Sequence, residues 1–89
     1  MPAMRVRIRG RVQGVGFRWF ARVQGRRLGL AGWVVNQPDG SVEVAASGDQ
    51  SRLDELRRAL RRGPDGADVT SVDDLDPVED HDFPFAVRR

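Results

Sequence analysis

A short glycine-rich segment is the part of this sequence whose residue types are best suited to chemistry. It consists of Gln13, Gly14, Val15, Gly16, Phe17 and Arg18. Glycine tolerates backbone conformations that other residues resist, so the successive amides of such a loop can converge on an anion. The first turn of a following helix adds unpaired N–H groups and partial positive charge, and the planar guanidinium of Arg18 can hold two phosphate oxygens at once. The segment therefore predicts a phosphate site.

The same segment is only a moderate signal when it is taken alone. The dinucleotide-binding fingerprint fails because Trp19 occupies its third glycine position. Without further context, Arg18 is more often a solvated helix residue than a ligand. The elements around the segment and the rest of the chain must therefore support the assignment.

Hydrophobic periodicity places the glycine-rich segment between a strand and a helix. Residues 5–9 alternate and predict a strand with Val6 and Ile8 inward, and from Phe17 the apolar residues follow helical spacing up to Gly29. A turn at 37–40 predicts a hairpin, which is followed by a helix at 51–62, a strand at 69–75 and a short strand at 85–87. We expect an α+β ferredoxin-like sandwich (βαββαβ), an antiparallel sheet with two helices on one face, plus the short C-terminal strand. Gly25 interrupts the first helix at a cost of about 1 kcal/mol relative to alanine, and the sequence gives no reason for it.

Composition excludes several classes of protein. Eighty-nine residues predict one domain over residues 1–89. The absence of cysteine excludes disulfides, thiolate metal sites and a cysteine nucleophile. All fifteen basic residues are arginine, which excludes a Schiff-base lysine and a Walker-type phosphate loop. The longest apolar runs are too short for a membrane span and the N-terminus lacks a signal pattern, so we expect a cytoplasmic protein.

The formal net charge of +2 conceals a strong segregation of charge along the chain. Residues 1–62 hold thirteen arginines and five acidic residues, whereas residues 63–89 hold two arginines and eight acidic residues. A basic region can recruit small phosphates or nucleic acid. Composition alone does not choose between them.

Two longer stretches carry a resemblance to a known family. Gly10 to Arg18 resembles the phosphate-loop motif of the acylphosphatases, and Gly32 to Glu43 is similar to the second motif of that family. Residues 26–30 and 60–64 also fit its usual segments, so the resemblance covers nearly the whole chain. The stretch from Asp73 to Phe83 departs from the family and is unusually acidic.

The resemblance implies the identity of the site residues. The phosphate-binding arginine of the family corresponds to Arg18, the loop amides correspond to residues 13–18, and the water-positioning asparagine corresponds to Asn36. On generic grounds Asn36 reads as a turn residue before Gln37, and only the family match together with the loop reverses that interpretation.

The expected function is the metal-independent hydrolysis of acyl phosphates without a cofactor. Its partners would be a small acyl phosphate and inorganic phosphate as product and competitive ligand, with no nucleic acid and no membrane, and we expect a monomer. The physiological acyl phosphate is left open, because nothing in the sequence reads the acyl side.

Two alternative functions remain at this point. Residues 14–20 superficially resemble the RNP1 pattern of RNA-binding modules that share the fold, but Phe17 and Phe20 are three positions apart, as in a helix. A degenerate acylphosphatase-like domain without activity is the other alternative, and Arg18 and Asn36 argue against it.

Other residue types that could do chemistry have simpler interpretations. His81 lies among acidic residues and is expected at the surface, and Trp19 and Trp33 are expected to pack. The acidic stretch lacks the spacing of a calcium loop. The arginines of the second helix are expected to form a solvated face.

Overall fold

A computed structural model describes all residues from Met1 to Arg89. In chain order the elements are β1 (Ala3–Arg11), α1 (Phe17–Arg27), β2 (Ala31–Asn36), β3 (Val42–Ser47), α2 (Gln50–Arg62), β4 (Asp68–Asp74) and β5 (Ala86–Arg88). The predicted order of strands and helices is confirmed. The termini of the elements differ from the prediction by at most three residues, the largest difference being the end of β3 at Ser47.

The five strands form one sheet in the order β4-β1-β3-β2-β5. The pairs β4–β1, β1–β3 and β3–β2 are antiparallel, as predicted. The short terminal strand β5 instead pairs parallel to β2, from Trp33–Ala86 to Val35–Arg88. The sheet is therefore mixed, with three antiparallel pairs and one parallel pair. Strands β4 and β5 are its two edge strands, so the chain crosses the sheet between them.

The core lies between one face of the sheet and the two helices. Val6 and Ile8 of β1 are fully buried and belong to the same cluster as residues of both helices. The cluster also contains Val34, Val42, Val44, Phe17, Ala21, Leu53, Leu56, Leu60 and Phe85. The alternation of β1 is thus explained, since side chains two apart on a strand share a face.

Glycine is required at two positions of α1 and its C-terminal cap, for two different reasons. At the helix end, Gly29 has φ 67° and the amide of Leu30 donates to the Gly25 carbonyl at 3.0 Å, as in a Schellman cap. Inside the helix, Gly25 packs directly under Phe85, and a methyl group there would overlap the Phe85 ring. The contact between α1 and the segment before β5 therefore requires glycine at position 25.

An acidic segment joins β4 to β5, and its first part, residues 75–82, crosses the sheet face opposite the helices. The Leu75 amide donates to the Arg5 carbonyl, and the Arg5 Nε donates to the Asp76 carbonyl at 2.7 Å. At the other end, the Trp33 Nε1 donates to the Asp80 carbonyl at 2.8 Å. Most of this segment is exposed to solvent, and these hydrogen bonds anchor it across the sheet over Trp33, which is buried.

Candidate active site

The fold brings the β1–α1 loop and the last residue of β2 to the same end of the sheet. Strands β1 and β2 are both antiparallel to β3, so they run in the same direction. The chain leaves β1 at this end of the sheet and enters α1 there. It then returns along β2, which ends at Asn36. A residue at the end of β2 therefore lies beside the first turn of α1.

Glycines shape the loop between β1 and α1 through their backbone angles. Gly14 has φ 76° and Gly16 has φ 78°, in the left-handed region that residues with a side chain rarely adopt. A Cβ built at either position would meet no atom within 4 Å. Conformation, and not lack of space, therefore requires glycine at both positions.

The backbone of the loop presents free donors to the solvent side. No hydrogen bond that the backbone makes in its turns, loops and caps has a donor between residues 13 and 19. The helix begins after Gly16, which has no side chain to cap it, so the N–H groups of the first turn are not taken up by a cap. These amides are available to an anion, and the helix dipole favours negative charge at the same place.

The side chain of Gln13 fastens this loop to the β2–β3 hairpin. Its Nε2 donates to the carbonyl oxygens of Gln37 at 2.8 Å and Ser41 at 2.9 Å. Both acceptors belong to the turn that follows Asn36. Gln13 thus holds the loop and Asn36 in a fixed relation, and its side-chain donor is not left for an anion.

One cleft of about 590 Å³ collects most of the predicted site residues. Arg18 and Asn36 both line it, together with Gln13, Gly14, Gly16 and Phe17. Val15 does not line the cleft, because its side chain packs against the hydrophobic core. The structure therefore brings together the residues that the sequence selected, with Val15 able to contribute its backbone only.

The cleft is strongly basic. Four arginines line it, namely Arg18, Arg22, Arg26 and Arg89, and no acidic residue does. Among these four, only Arg26 hydrogen-bonds within the protein, through Nε to the Phe85 carbonyl at 2.8 Å. Sequence reasoning missed Arg22 and Arg26, although their spacing of four and eight from Arg18 places all three on one face of a helix.

The hairpin next to Asn36 is held by a well-satisfied carboxylate. The Ser41 hydroxyl and backbone N–H donate to Asp39 Oδ1 at 2.6 and 3.0 Å. These hydrogen bonds, with a smaller contribution from Arg9, lower the pKa of Asp39 from 3.8 to about 2. Asp39 is therefore ionised at neutral pH and serves the turn, since it does not line the cleft.

The other residues set aside from the sequence lie outside the cleft. His81 belongs to the crossing segment, where its Nε2 is buried. The chain holds no group of three or more His, Asp or Glu side chains arranged to hold a metal ion. No helix is long and apolar enough to cross a membrane. Trp33 packs as expected, whereas Trp19 is 63% exposed at the mouth of the cleft.

The RNA-binding alternative is not favoured by this arrangement. Phe17 is buried in the core and Phe20 lies on α1, so the two aromatic rings do not stand on an open strand where bases could stack. The open face of β1 carries arginines that are paired with acidic side chains. What remains is a small α+β domain whose β1–α1 loop presents free backbone amides at a helix N-terminus.

Comparison with known proteins identifies the family. The family model for acylphosphatase matches residues 4–85. An acylphosphatase from Rhizobium etli is 52% identical over 71 residues, which cover 80% of this chain and 76% of the relative. A crystal structure of acylphosphatase from Bacillus subtilis covers 100% of both chains with 37% identity and a TM-score of 0.88. A Coxiella burnetii acylphosphatase structure covers 97% of this chain and 90% of its own, with 35% identity and a TM-score of 0.84.

The chain belongs to the acylphosphatase family. The resemblance inferred from two sequence motifs, the ferredoxin-like fold and the prediction of an enzyme that hydrolyses acyl phosphates are confirmed.

Proposed function

We propose that this protein hydrolyses acyl phosphates in the basic cleft, holding the phosphate with the amides of residues 13–18 and with Arg18 while Asn36 orients the attacking water. One observation carries this assignment: free amide donors, an arginine without an ion pair and an asparagine line a single cleft that no acidic side chain lines. Such a cleft is matched to a tetrahedral anion.

The proposed reaction is an in-line displacement at phosphorus. The oxygen of water attacks phosphorus, the bond between phosphorus and the acyl oxygen breaks, and its electron pair leaves with the carboxylate. Both protons of the water end on the phosphate, so an acyl phosphate dianion and water give a carboxylate and dihydrogen phosphate. Charge spreads over the three equatorial oxygens in the transition state, where positioning and electrostatics suffice for catalysis.

Each group in the cleft has a part that follows from its chemistry. The loop amides and the Arg18 guanidinium donate to the phosphate oxygens, and because they are fixed beforehand they need no reorganisation as charge develops. The Asn36 carbonyl can accept a hydrogen bond from water, but a neutral amide is not a base. The leaving carboxylate is stable near pH 7, so the proposal assigns no general acid.

The test is hydrolysis of benzoyl phosphate by the purified protein, with and without EDTA and with increasing inorganic phosphate. We expect turnover that EDTA does not change, and competitive inhibition by phosphate. Loss of turnover with EDTA would contradict metal-independent hydrolysis. A protein that binds phosphate but hydrolyses no acyl phosphate would favour the non-catalytic alternative instead.

The single domain over residues 1–89, the monomeric state and the cytoplasmic location stay predictions. Size-exclusion chromatography with light scattering measures the oligomeric state directly.

A further inference from the structure

Strand β5 is a short edge strand, and it nevertheless builds part of the basic cleft. It is three residues long and pairs with β2 alone. The cleft is lined by Ala86 and Val87 of this strand and by Arg89, which follows it, and we call these three residues the cleft wall. Segments with few backbone pairs and few buried contacts open at a low free energy. The position of the cleft wall therefore depends on the contacts that hold β5 to the rest of the protein.

One set of contacts holds the strand from the helix side. Phe85, immediately before β5, is fully buried, and its ring packs against Gly25 of α1. The Phe85 carbonyl accepts a hydrogen bond from Arg26 Nε at 2.8 Å. Val87 packs against the hydrophobic core. These contacts fix the beginning and middle of β5 and leave its last residue, Arg88, to be held elsewhere.

Arg88 is held on the sheet face opposite the helices by two carboxylates. Its Nε and Nη2 donate to Asp82 at 3.0 and 3.1 Å, and its Nη1 and Nη2 donate to Asp80, both at 3.3 Å. The guanidinium carbon also lies 5.0 Å from the centroid of the Trp33 ring. The hydrogen bonds from Arg88 lower the pKa of Asp82. A planar guanidinium that binds carboxylates through several N–H groups is fixed in orientation as well as in distance.

The two carboxylates are themselves tied to β2, the strand next to β5. The Asp80 carbonyl accepts from Trp33 Nε1 at 2.8 Å, and the Asp82 carbonyl accepts from the Gly32 amide at 2.7 Å. Both donors belong to β2. An ordinary surface ion pair contributes little, because two free side chains must be ordered to form it. Here the backbone of the acidic partners is already held, so Arg88 connects the end of β5 to groups that are fixed on β2.

We propose that Asp80, Asp82 and Arg88 form a clasp that positions β5 and with it the cleft wall. Arg88 is thus a positioning residue for the reaction, which acts through β5 and does not line the cleft itself. The inference rests on the proposed function, because it takes the cleft to be the place of hydrolysis. It assigns the acidic segment before β5 a role in forming that cleft.

Loss of the clasp should leave β5 docked in only a fraction of the molecules. A ligand that needs the complete cleft then binds with an apparent dissociation constant that is raised by the inverse of that fraction. Saturating substrate restores the docked state, so we expect a higher KM with little change in kcat. A general loss of stability would not produce this result, because the molecules that remain folded would keep the KM of the wild type.

The test measures benzoyl phosphate hydrolysis and amide hydrogen exchange in the Arg88→Gln variant. We expect KM to rise about fivefold, which corresponds to a complete cleft in about a fifth of the molecules. The kcat should stay within about twofold of the wild type. Amide exchange at residues 86–88 should become about fivefold faster or more, whereas exchange within α2 should stay the same.

The double variant Asp80→Asn/Asp82→Asn removes the clasp from its other side and keeps the arginine. It should raise KM and speed exchange at residues 86–88 in the same way, and it tests the clasp independently if Arg88→Gln does not fold. Adding Arg88→Gln to the double variant should raise KM no further, because residues that act through one contact are not additive.

Arg57→Gln is the matched control. The Arg57 side chain is 32% exposed, against 37% for Arg88, and it donates to Asp74 at 2.6 Å. Asp74 lies on β4, at the opposite edge of the sheet from β5. The control variant removes the same charge and the same kind of ion pair, and it should leave both KM and the exchange at residues 86–88 unchanged.

Unchanged exchange at residues 86–88 in Arg88→Gln would overturn this inference, because β5 would then need no clasp. Faster exchange with an unchanged KM would overturn it as well, since the cleft would not depend on the position of β5. An equal rise of KM in Arg57→Gln would also overturn it and attribute the effect to the net charge of the protein. Failure of the wild type to hydrolyse benzoyl phosphate would instead contradict the proposed function, and hydrogen exchange would still decide whether the clasp holds β5.

Discussion

Arginines stand on both sides of the sheet in this protein, and their neighbours differ. On the face opposite the helices, Arg5 and Arg7 pair with Glu43, at 3.0 and 3.5 Å. Arg9 and Arg88 on the same side also pair with carboxylates. The arginines of the cleft form no ion pair at all. Arginine therefore forms stabilising ion pairs on the sheet face opposite the helices, whereas in the cleft its guanidinium groups are free of acidic partners.

The two regions explain the segregated charges of the sequence. None of the acidic side chains of the C-terminal third lines the cleft, because residues 75–82 cross the opposite face. Only Ala86, Val87 and Arg89 of that third reach the cleft. On the opposite face, Asp80 and Asp82 bind Arg88, and Arg88 in turn lies 5.0 Å from the centroid of the Trp33 ring. These acidic residues thus form ion pairs with an arginine on the sheet face opposite the helices. The cleft keeps its positive charge because no acidic segment reaches it.

The largest effect should come from Arg18, the cleft arginine nearest the loop amides. We expect Arg18→Gln to lower acyl phosphate turnover about a thousandfold or more, because the variant loses the guanidinium that, in the proposed site, binds the charged phosphoryl group. Since Arg18 forms no ion pair, the thermal unfolding temperature of the Arg18→Gln variant should equal that of the wild type or be slightly higher. Steady-state kinetics and thermal unfolding check both parts.

Arg58→Gln serves as the control, with the same change of charge at an exposed residue of α2 outside the cleft. Wild-type turnover in Arg18→Gln would contradict the site. A large loss of stability in that variant would contradict the comparison of the two regions, since it would show that Arg18 also holds structure.

Asn36 should give the next largest effect, on the rate and not on binding. We expect Asn36→Ala to lower kcat about a hundredfold, the order found for groups that position a reacting proton or water. In the proposed site the loop amides and Arg18 hold the phosphate, so the inhibition constant for inorganic phosphate should change little. Competitive inhibition measured in the same assay separates the two. A parallel loss of phosphate affinity would assign Asn36 to binding.

On the opposite face, Glu43 should matter for stability. Its side chain is 7% exposed and accepts from Arg5, Arg7 and Gln37, the last at 2.9 Å. Breaking a buried pair costs about 3–5 kcal/mol, and because both arginines keep partial access to water we expect about 2 kcal/mol for Glu43→Gln. Urea unfolding measures it.

Glu55→Gln is the matched control for that experiment. Glu55 pairs with Arg27 at 3.7 Å, and both side chains are about half exposed, so its loss should cost under about 0.5 kcal/mol. Equal costs for the two variants would show that the face opposite the helices is not held by its ion pairs.

Local patterns in the sequence were enough to predict most of the fold. The alternation around Val6 and Ile8 gave the first strand, and Gly29 gave the end of α1. The parallel pairing of β5 and the crossing acidic segment could not be predicted, because both depend on partners far away in the chain. Gly25 is the clearest case, since its reason is the ring of Phe85, sixty positions later.

The site divides in the same way. Arg18 and the loop glycines follow from local sequence, and their meeting with Asn36 follows once β1 and β2 run in the same direction. The spacing of Arg22 behind Arg18 is visible in the sequence, but a spacing does not say whether a helix face meets acidic residues or an empty cleft. The tether from Gln13 to the hairpin also required the fold, because its acceptors are backbone carbonyls that carry no sequence signal.

The smallest predicted effect concerns the pH dependence of the hairpin between the two regions. The pKa of Asp39 is lowered to about 2 chiefly by hydrogen bonds from Ser41, whereas in the unfolded chain an aspartate titrates near 3.9. Its contribution to the free energy of unfolding is therefore fully present above about pH 4 and is lost as the pH falls toward 2. The stability difference between wild type and Asp39→Asn should be constant from pH 7 to 5 and shrink between about pH 4 and 2, as measured by urea unfolding.

The pKa of Asp82 is also lowered, by Arg88, but Asp82 is present in both proteins, so the difference between them reports Asp39 alone. Asp65→Asn, at an exposed aspartate without a partner, should differ from wild type by a constant amount over the whole range. A constant difference for Asp39→Asn as well would mean that Ser41 does not hold the carboxylate in the folded protein.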